Sequence, residues 1–137
     1  MALTKKQKRL LKAATEVAQE LALVGAGQPA KEGQRRGREL TPLIGELNAC
    51  EKLNLTWEPS DGYDARTGHL RVQVKTRKSW STPTVNPAGR LGRFGRKKGY
   101  PFDIAVYIEL DDDFNTASLW CMGVEGVKAL EEAERGS

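Results

Sequence analysis

A chain of 137 residues, 39% hydrophobic and 29% charged with a net charge of +4, has the length of one domain with its own core and needs no disulfide framework. No apolar run approaches a membrane span, and Glu16, Gln19 and Glu20 interrupt what would be the apolar part of a signal peptide, so a cytoplasmic (intracellular) setting is expected. The only histidine, His69, follows Gly68 in turn-like sequence, which argues against HNH-type nucleases, His-based ribonucleases and most zinc hydrolases.

Leu10, Leu11, Ala14, Val17, Ala18 and Leu21 recur at helical spacing and predict a helix over Thr4–Val24, capped by Thr4 and stopped at Gly25. Gly25–Arg38 is rich in Gly, Gln and Lys/Arg and reads as a linker, so residues 1–38 form a helix plus basic linker and residues 39–137 the main domain. Thr41-Pro42 restarts a helix to Leu53, with Thr41 as N-cap and Leu43, Leu47 and Cys50 as its apolar stripe, Ile44 alongside. Cys50 and the distant Cys121 lack metal spacing and are expected to be reduced core residues.

Strands follow. Leu55-Thr56-Trp57 is short and ends at Pro59, and Ser60-Asp61-Gly62 is a turn before Tyr63-Asp64-Ala65. Arg66-Thr67-Gly68 reads as a hairpin turn, and Leu70–Thr76 alternates, with Leu70, Val72 and Val74 to one side and Arg71, Gln73 and Lys75 to the other. Phe102–Leu110 is a nearly continuous apolar run, as for a central strand. Asp111–Asn115 turns into a strand over Ala117–Met122, and Val124–Glu134 closes as a helix with Val127 and Leu130 inward. The order, helix, helix, several strands, helix, predicts an α/β sandwich of modest size.

The charge is uneven. No Asp or Glu occurs from Ala65 to Phe102, while Arg71, Arg77, Lys78, Arg90, Arg93, Arg96, Lys97 and Lys98 fall there, interleaved with the aromatics Trp80, Phe94 and Tyr100. A one-sign stretch of this kind suits a phosphate backbone, and a solvated basic loop is the plain alternative.

The alternation puts Gln73 and Lys75 on one face. Were Arg66-Thr67-Gly68 to close an antiparallel hairpin, Asp64 would lie opposite Leu70 or Arg71, with Gln73 on the diagonal at roughly 7–8 Å. A carboxylate, an amide oxygen and an ammonium would then converge, a set that suits phosphodiester hydrolysis with a divalent cation, and Glu46 at the edge of its helix can add a second carboxylate. The same residues also have plain readings: Asp64 as a turn cap, Glu46 as an exposed helix residue, and Gln73 and Lys75 as a solvated strand face. Glu39, Asp61 and Asp103 are the competing acids.

Taken together, Gly45-Glu46-Leu47, Gly62-Tyr63-Asp64-Ala65 and Val72-Gln73-Val74-Lys75-Thr76 resemble the PD-(D/E)XK superfamily of restriction-endonuclease-like nucleases, in the variant with Gln at the third motif position. The resemblance runs from about Thr41 to the C-terminus. Tyr63 stands where the superfamily usually has Pro, and Ser79–Tyr100 has no helical pattern where it commonly has a crossover helix. It implies a restriction-endonuclease-like mixed central sheet flanked by helices, with an extra N-terminal helix, and a metal-dependent endonuclease acting on DNA, as a homodimer where two strands are cut. It implies Mg2+ as cofactor, with Mn2+ as substitute, held by Asp64, Gln73, the Val74 carbonyl and Glu46, with Lys75 serving the attacking water. A non-catalytic nucleic-acid-binding domain on the same fold is the rival reading, and a protein-interaction module the next.

Overall fold

Thr4 and Gln7 cap the first helix reciprocally: Gln7 N–H donates to Thr4 Oγ1 at 3.1 Å and Thr4 N–H donates to Gln7 Oε1 at 3.0 Å. That helix, α1, spans Lys5–Val24 in a computed structural model that describes residues 3–24, 40–60, 62–78 and 99–136. The Gly25–Arg38 linker and positions 79–98 lie outside the described residues. Only one narrow stripe of α1 is buried, Leu11, Ala14 and Ala18, whereas Leu10 and Val17 are exposed rather than inward as their spacing suggested. The buried stripe joins the same core as the main domain.

The second helix, α2, covers Thr41–Leu53. Leu40, not Thr41, occupies the N-cap position, and no side chain caps it; Thr41 is already helical and buried, its hydroxyl without a partner. The cap expected from Thr41-Pro42 is therefore displaced by one residue. The buried stripe is Ile44, Leu47 and Cys50 with Ala49, and Leu43 sits at its margin. Asn54 ends the helix in the left-handed region (φ 58°), and its N–H returns to the Cys50 carbonyl.

Five strands follow in an order that matches the chain, β1 to β5: Thr56–Ser60, Tyr63–Thr67, Leu70–Lys78, Ile104–Leu110 and Thr116–Gly123. The β1 strand runs past Pro59, which an edge strand tolerates because no neighbour needs its amide. The β2–β3 hairpin turns at Gly68-His69 rather than Arg66-Thr67-Gly68, with Gly68 at φ 59° and His69 exposed. That shorter turn sets the rungs Thr67↔Leu70, Arg66↔Arg71 and Ala65↔Val72. The β3–β4 pair is parallel and the other pairs are antiparallel, so the sheet is mixed. The last helix, α3, spans Val124–Gly136.

Alternation then sorts side chains onto two faces. Val72, Val74, Val106 and Ile108 pack under α2 and α1, whereas Ala105 and Tyr107 pack with Phe102 and the Val127 side chain of α3. Cys50 is buried as expected; Cys121 is exposed, because β5 ends the sheet among the described residues and its side chains are only lightly covered.

Gly45 lets α2 lie close on β3. A Cβ there would stand 2.6 Å from the Thr76 Cβ and nearer still to its Oγ1 and Cγ2. Gly45→Ala should therefore push the helix off the strand and cost about 1–3 kcal/mol, the usual range for overpacking. At this chain length thermal unfolding would read it as a fall of about 4 °C per kcal/mol. An unchanged melting temperature would mean that α2 has room to move.

Candidate active site

Beyond the rung Ala65↔Val72 the β2–β3 ladder stops, because β2 turns away to meet β1 through Ser60↔Tyr63. The Asp64 side chain takes up the slack: its Oδ2 accepts the Val74 N–H at 2.8 Å. A backbone N–H lies in the plane of the sheet, so the carboxylate sits at the seam between the strands, half-buried. Burial raises its pKa, and the Val74 hydrogen bond and the positive charge of Lys75 pull it back.

Glu46 approaches this seam from the α2 side. Its Oε1 accepts the indole N–H of Trp57 at 3.1 Å. Burial and then the repulsion of Asp64 push its pKa up to about 7, against the Trp57 hydrogen bond. Cys50, one helical turn further along α2, feels both carboxylates: burial first, then Glu46 and Asp64, push its thiol up to about 12, so it stays protonated and inert. Three groups on two elements thus report one patch of partly buried negative charge.

Lys75 and Gln73 leave by the opposite face, in register with Tyr107 and Ala105. Lys75 reaches Asp64 electrostatically across the seam. Gln73 lies on β3 one residue beyond the last rung, Ala65↔Val72, where the paired ladder has already ended. The expected placement opposite Leu70 or Arg71 is replaced, because those residues pair with Thr67 and Arg66. Asp64 is thus the common partner: Glu46 meets it from the α2 side, the Val74 N–H within the sheet, and Lys75 by its charge from the opposite face, the face on which Gln73 also lies.

Asp103, the competing acid, has another task. Its Oδ2 accepts the Arg71 N–H at 2.8 Å and the Arg71 Nε–H at 3.3 Å, and its own N–H donates to the Arg71 carbonyl at 2.9 Å. These bonds hold its carboxyl below the usual range and pin the start of β4 to β3. Arg71, expected to touch nucleic acid, is accordingly committed in part to this clamp. Arg77 stands beside Glu109 on β4. Lys78 is turned inward, 8% exposed, with its Nζ 4.8 Å above the Phe114 ring and 3.9 Å from Asp112. It shares the inward parity of Val72 and Val74, so it presents no charge to a surface ligand, contrary to the expectation from charge alone. Trp80, Arg90, Arg93, Arg96, Lys97, Lys98, Glu39 and Asp61 lie outside the described residues.

Trp57 is the residue that sequence reasoning missed. Nothing in Leu55-Thr56-Trp57 marks its indole as the partner of a helix glutamate; the pairing exists only once α2 packs on the sheet. Among the described residues no cluster of three or more His, Cys, Asp or Glu is arranged to hold a metal ion, so the acidic part of the site is the Glu46–Asp64 pair. None of the described helices is long and apolar enough to cross a membrane.

Fold and site together define an α/β protein with a five-stranded mixed sheet flanked by helices and a two-carboxylate seam beside a lysine. No protein-family model matches the chain, and no curated protein does.

Proposed function

We propose that the chain is a divalent-metal-dependent endonuclease of the PD-(D/E)XK type that hydrolyses phosphodiester bonds in DNA. The observation that carries this reading is the half-buried pair of carboxylates at the seam: Asp64 is anchored on the Val74 N–H and feels the charge of Lys75, and Glu46 is anchored on the Trp57 indole, its carboxyl raised by burial and by the charge of Asp64. A merely structural pair of carboxylates is usually exposed or paired with cations; holding two together under burial is unfavourable unless a cation joins them. The donors fit a hard, oxygen-seeking ion: two carboxylates, the Gln73 amide and the Val74 carbonyl would hold Mg2+ or Mn2+. Such an ion, when bound, polarises a phosphate and lowers the pKa of water.

The chain's own residues do the rest. The Val74 N–H fixes one Asp64 oxygen and the Trp57 indole fixes one Glu46 oxygen, leaving the other oxygen of each to face a ligand. Lys75 holds a positive charge where negative charge grows on the reacting phosphate or the attacking oxygen. The test is cleavage of single-stranded, duplex and branched DNA with magnesium, manganese or EDTA. Cutting that persists in EDTA, or none with either metal, would overturn the proposal.

A non-catalytic binder on the same frame is the second reading, favoured by the neutral Gln73 and by a seam that holds two acids among the described residues. Both readings give the basic stretch the same task. Replacing Arg90, Arg93, Lys97 and Lys98 together should weaken binding to all DNA sequences alike. The slope of log affinity against log salt should flatten by about 0.9 for each phosphate that is no longer neutralised. An unchanged slope in the quadruple variant would remove the stretch from the interface.

A further inference from the structure

The face that carries Lys75 has a second feature. The β3–β4 register sets Lys75 beside Tyr107, and the β4–β5 register sets Tyr107 beside Trp120. The three side chains form one row across the sheet. Trp120 stacks on Tyr107 with ring centroids 4.2 Å apart and planes inclined by 23°. Tyr107 is buried against Phe102, Ala105 and Val127, so the lower ring is held fixed. Trp120 above it remains 41% exposed. Covering Tyr107 accounts for an apolar residue at this position, but not for the large indole surface left open to solvent.

The next row holds Arg77, Glu109 and Ser118, so one edge of the patch is basic, with a single carboxylate beside the arginine. Two strand spacings, roughly 9.5 Å, separate Trp120 from Lys75. A nucleic-acid strand with a phosphate at Lys75 therefore reaches Trp120 within a few nucleotides.

We propose that Trp120, backed by Tyr107, is a stacking platform for an unpaired nucleobase, so that the strand bound at Lys75 is single-stranded or locally unpaired. The inference rests on the nucleic-acid reading of the site and adds the class of substrate. An exposed π-face accepts any base without reading its edge, and bases in an intact duplex cannot offer their faces to it. A positive charge within reach of an aromatic platform is the combination by which single strands are gripped without sequence preference.

The test is binding of the full chain to oligo-dT and to a duplex of equal length, in EDTA so that cleavage plays no part. Trp120→Ala should weaken oligo-dT binding roughly 5- to 100-fold, the contribution of one stacked base, with duplex affinity unchanged. Trp120→Phe should retain most of the affinity and guards against loss of fold in the alanine variant. An abasic site walked along the oligonucleotide should reproduce the loss at one position and add nothing to Trp120→Ala there. Equal losses on single strand and duplex would overturn the platform, as would no loss at all or failure to bind any nucleic acid. The two proposals fail separately. Cleavage dependent on Asp64 with a silent Trp120→Ala removes the platform alone, and Trp120-dependent binding without cleavage in any metal removes the nuclease alone.

Discussion

Asp64→Ala should bring magnesium-dependent cleavage down to background while metal-free DNA binding survives or tightens slightly. Asp64 is anchored by the Val74 N–H, raises the Glu46 carboxyl and the Cys50 thiol, and feels the positive charge of Lys75. Among the described residues its removal leaves Glu46 as the one carboxylate of the seam, too little charge to hold a hard divalent ion. Without metal a carboxylate beside phosphate only repels, so binding loses nothing. Lys75→Ala should lower the cleavage rate by on the order of 100- to 1,000-fold, the range for one charge-stabilising group, yet leave the metal's effect on melting temperature in place, because an ammonium is not a ligand. Gln73→Glu adds a strand-borne carboxylate and should be tolerated, with altered metal preference. Should Asp64→Ala leave DNA affinity in magnesium unchanged and the wild type cut nothing, the chain is a binder.

Glu46→Gln should make the metal-free protein more stable at neutral pH and nearly abolish one part of its pH dependence. The carboxyl is pushed from 4.5 to about 7 by burial and by Asp64. Its folded-state pKa lies above the unfolded value, so the protonated form is favoured in the fold. The associated stability is fully present below about pH 4.5 and is lost as pH rises through about 7. The shift converts to roughly 3 kcal/mol at about 1.4 kcal/mol per unit, and partial solvent access reduces this to on the order of 1–2 kcal/mol. Chemical denaturation at pH 5 and pH 8 should show wild type weaker at the higher pH, with the Gln variant gaining that amount at pH 8. A variant no more stable than wild type at pH 8 would show that Glu46 is not under strain, and the main support for a cation site would be gone. Both measurements need EDTA throughout, since an ion at the seam would reverse the sign.

Much of this was legible in the sequence, and the parts that were not share a cause. Alternation in Leu70–Thr76 gave the strand and its two faces, and the apolar run before Leu110 gave the central strand. Hairpin geometry missed the register by two or three residues: Arg66-Thr67 resembles turn sequence, yet Gly68-His69 makes the shorter turn and leaves both residues in β2. Thr41 looks like a cap because Pro42 follows it, but the helix begins one residue earlier on Leu40 and buries the hydroxyl. Lys78 reads as a surface cation only while the strand is thought to end at Thr76; two residues more, and strand parity turns it inward under Phe114. For the site, order and spacing point to Glu46, Asp64, Gln73 and Lys75, of which Asp64 alone has links to both Glu46 and Lys75. The Trp57–Glu46 bond depends on how α2 folds back on the strand that follows it, and the Lys75–Tyr107–Trp120 row on pairing between strands distant in the chain, neither of which a local pattern encodes.

The two outer strands of the sheet are guarded unequally. At one side β1 carries Glu58, Pro59 and a register shift between Trp57 and Ser60, each of which discourages another chain from adding a strand there. At the other, β5 runs for eight residues from Thr116 to Gly123 without a charge, a proline or a glycine before its last position. Among the described residues no strand lies beyond it. A long, uncharged, β-prone edge is where colloidal trouble begins in concentrated protein or during refolding, when edges of separate molecules meet. Whatever binds along the Trp120 side of that strand would therefore act as a solubilising cover as well, and the free protein should be handled dilute.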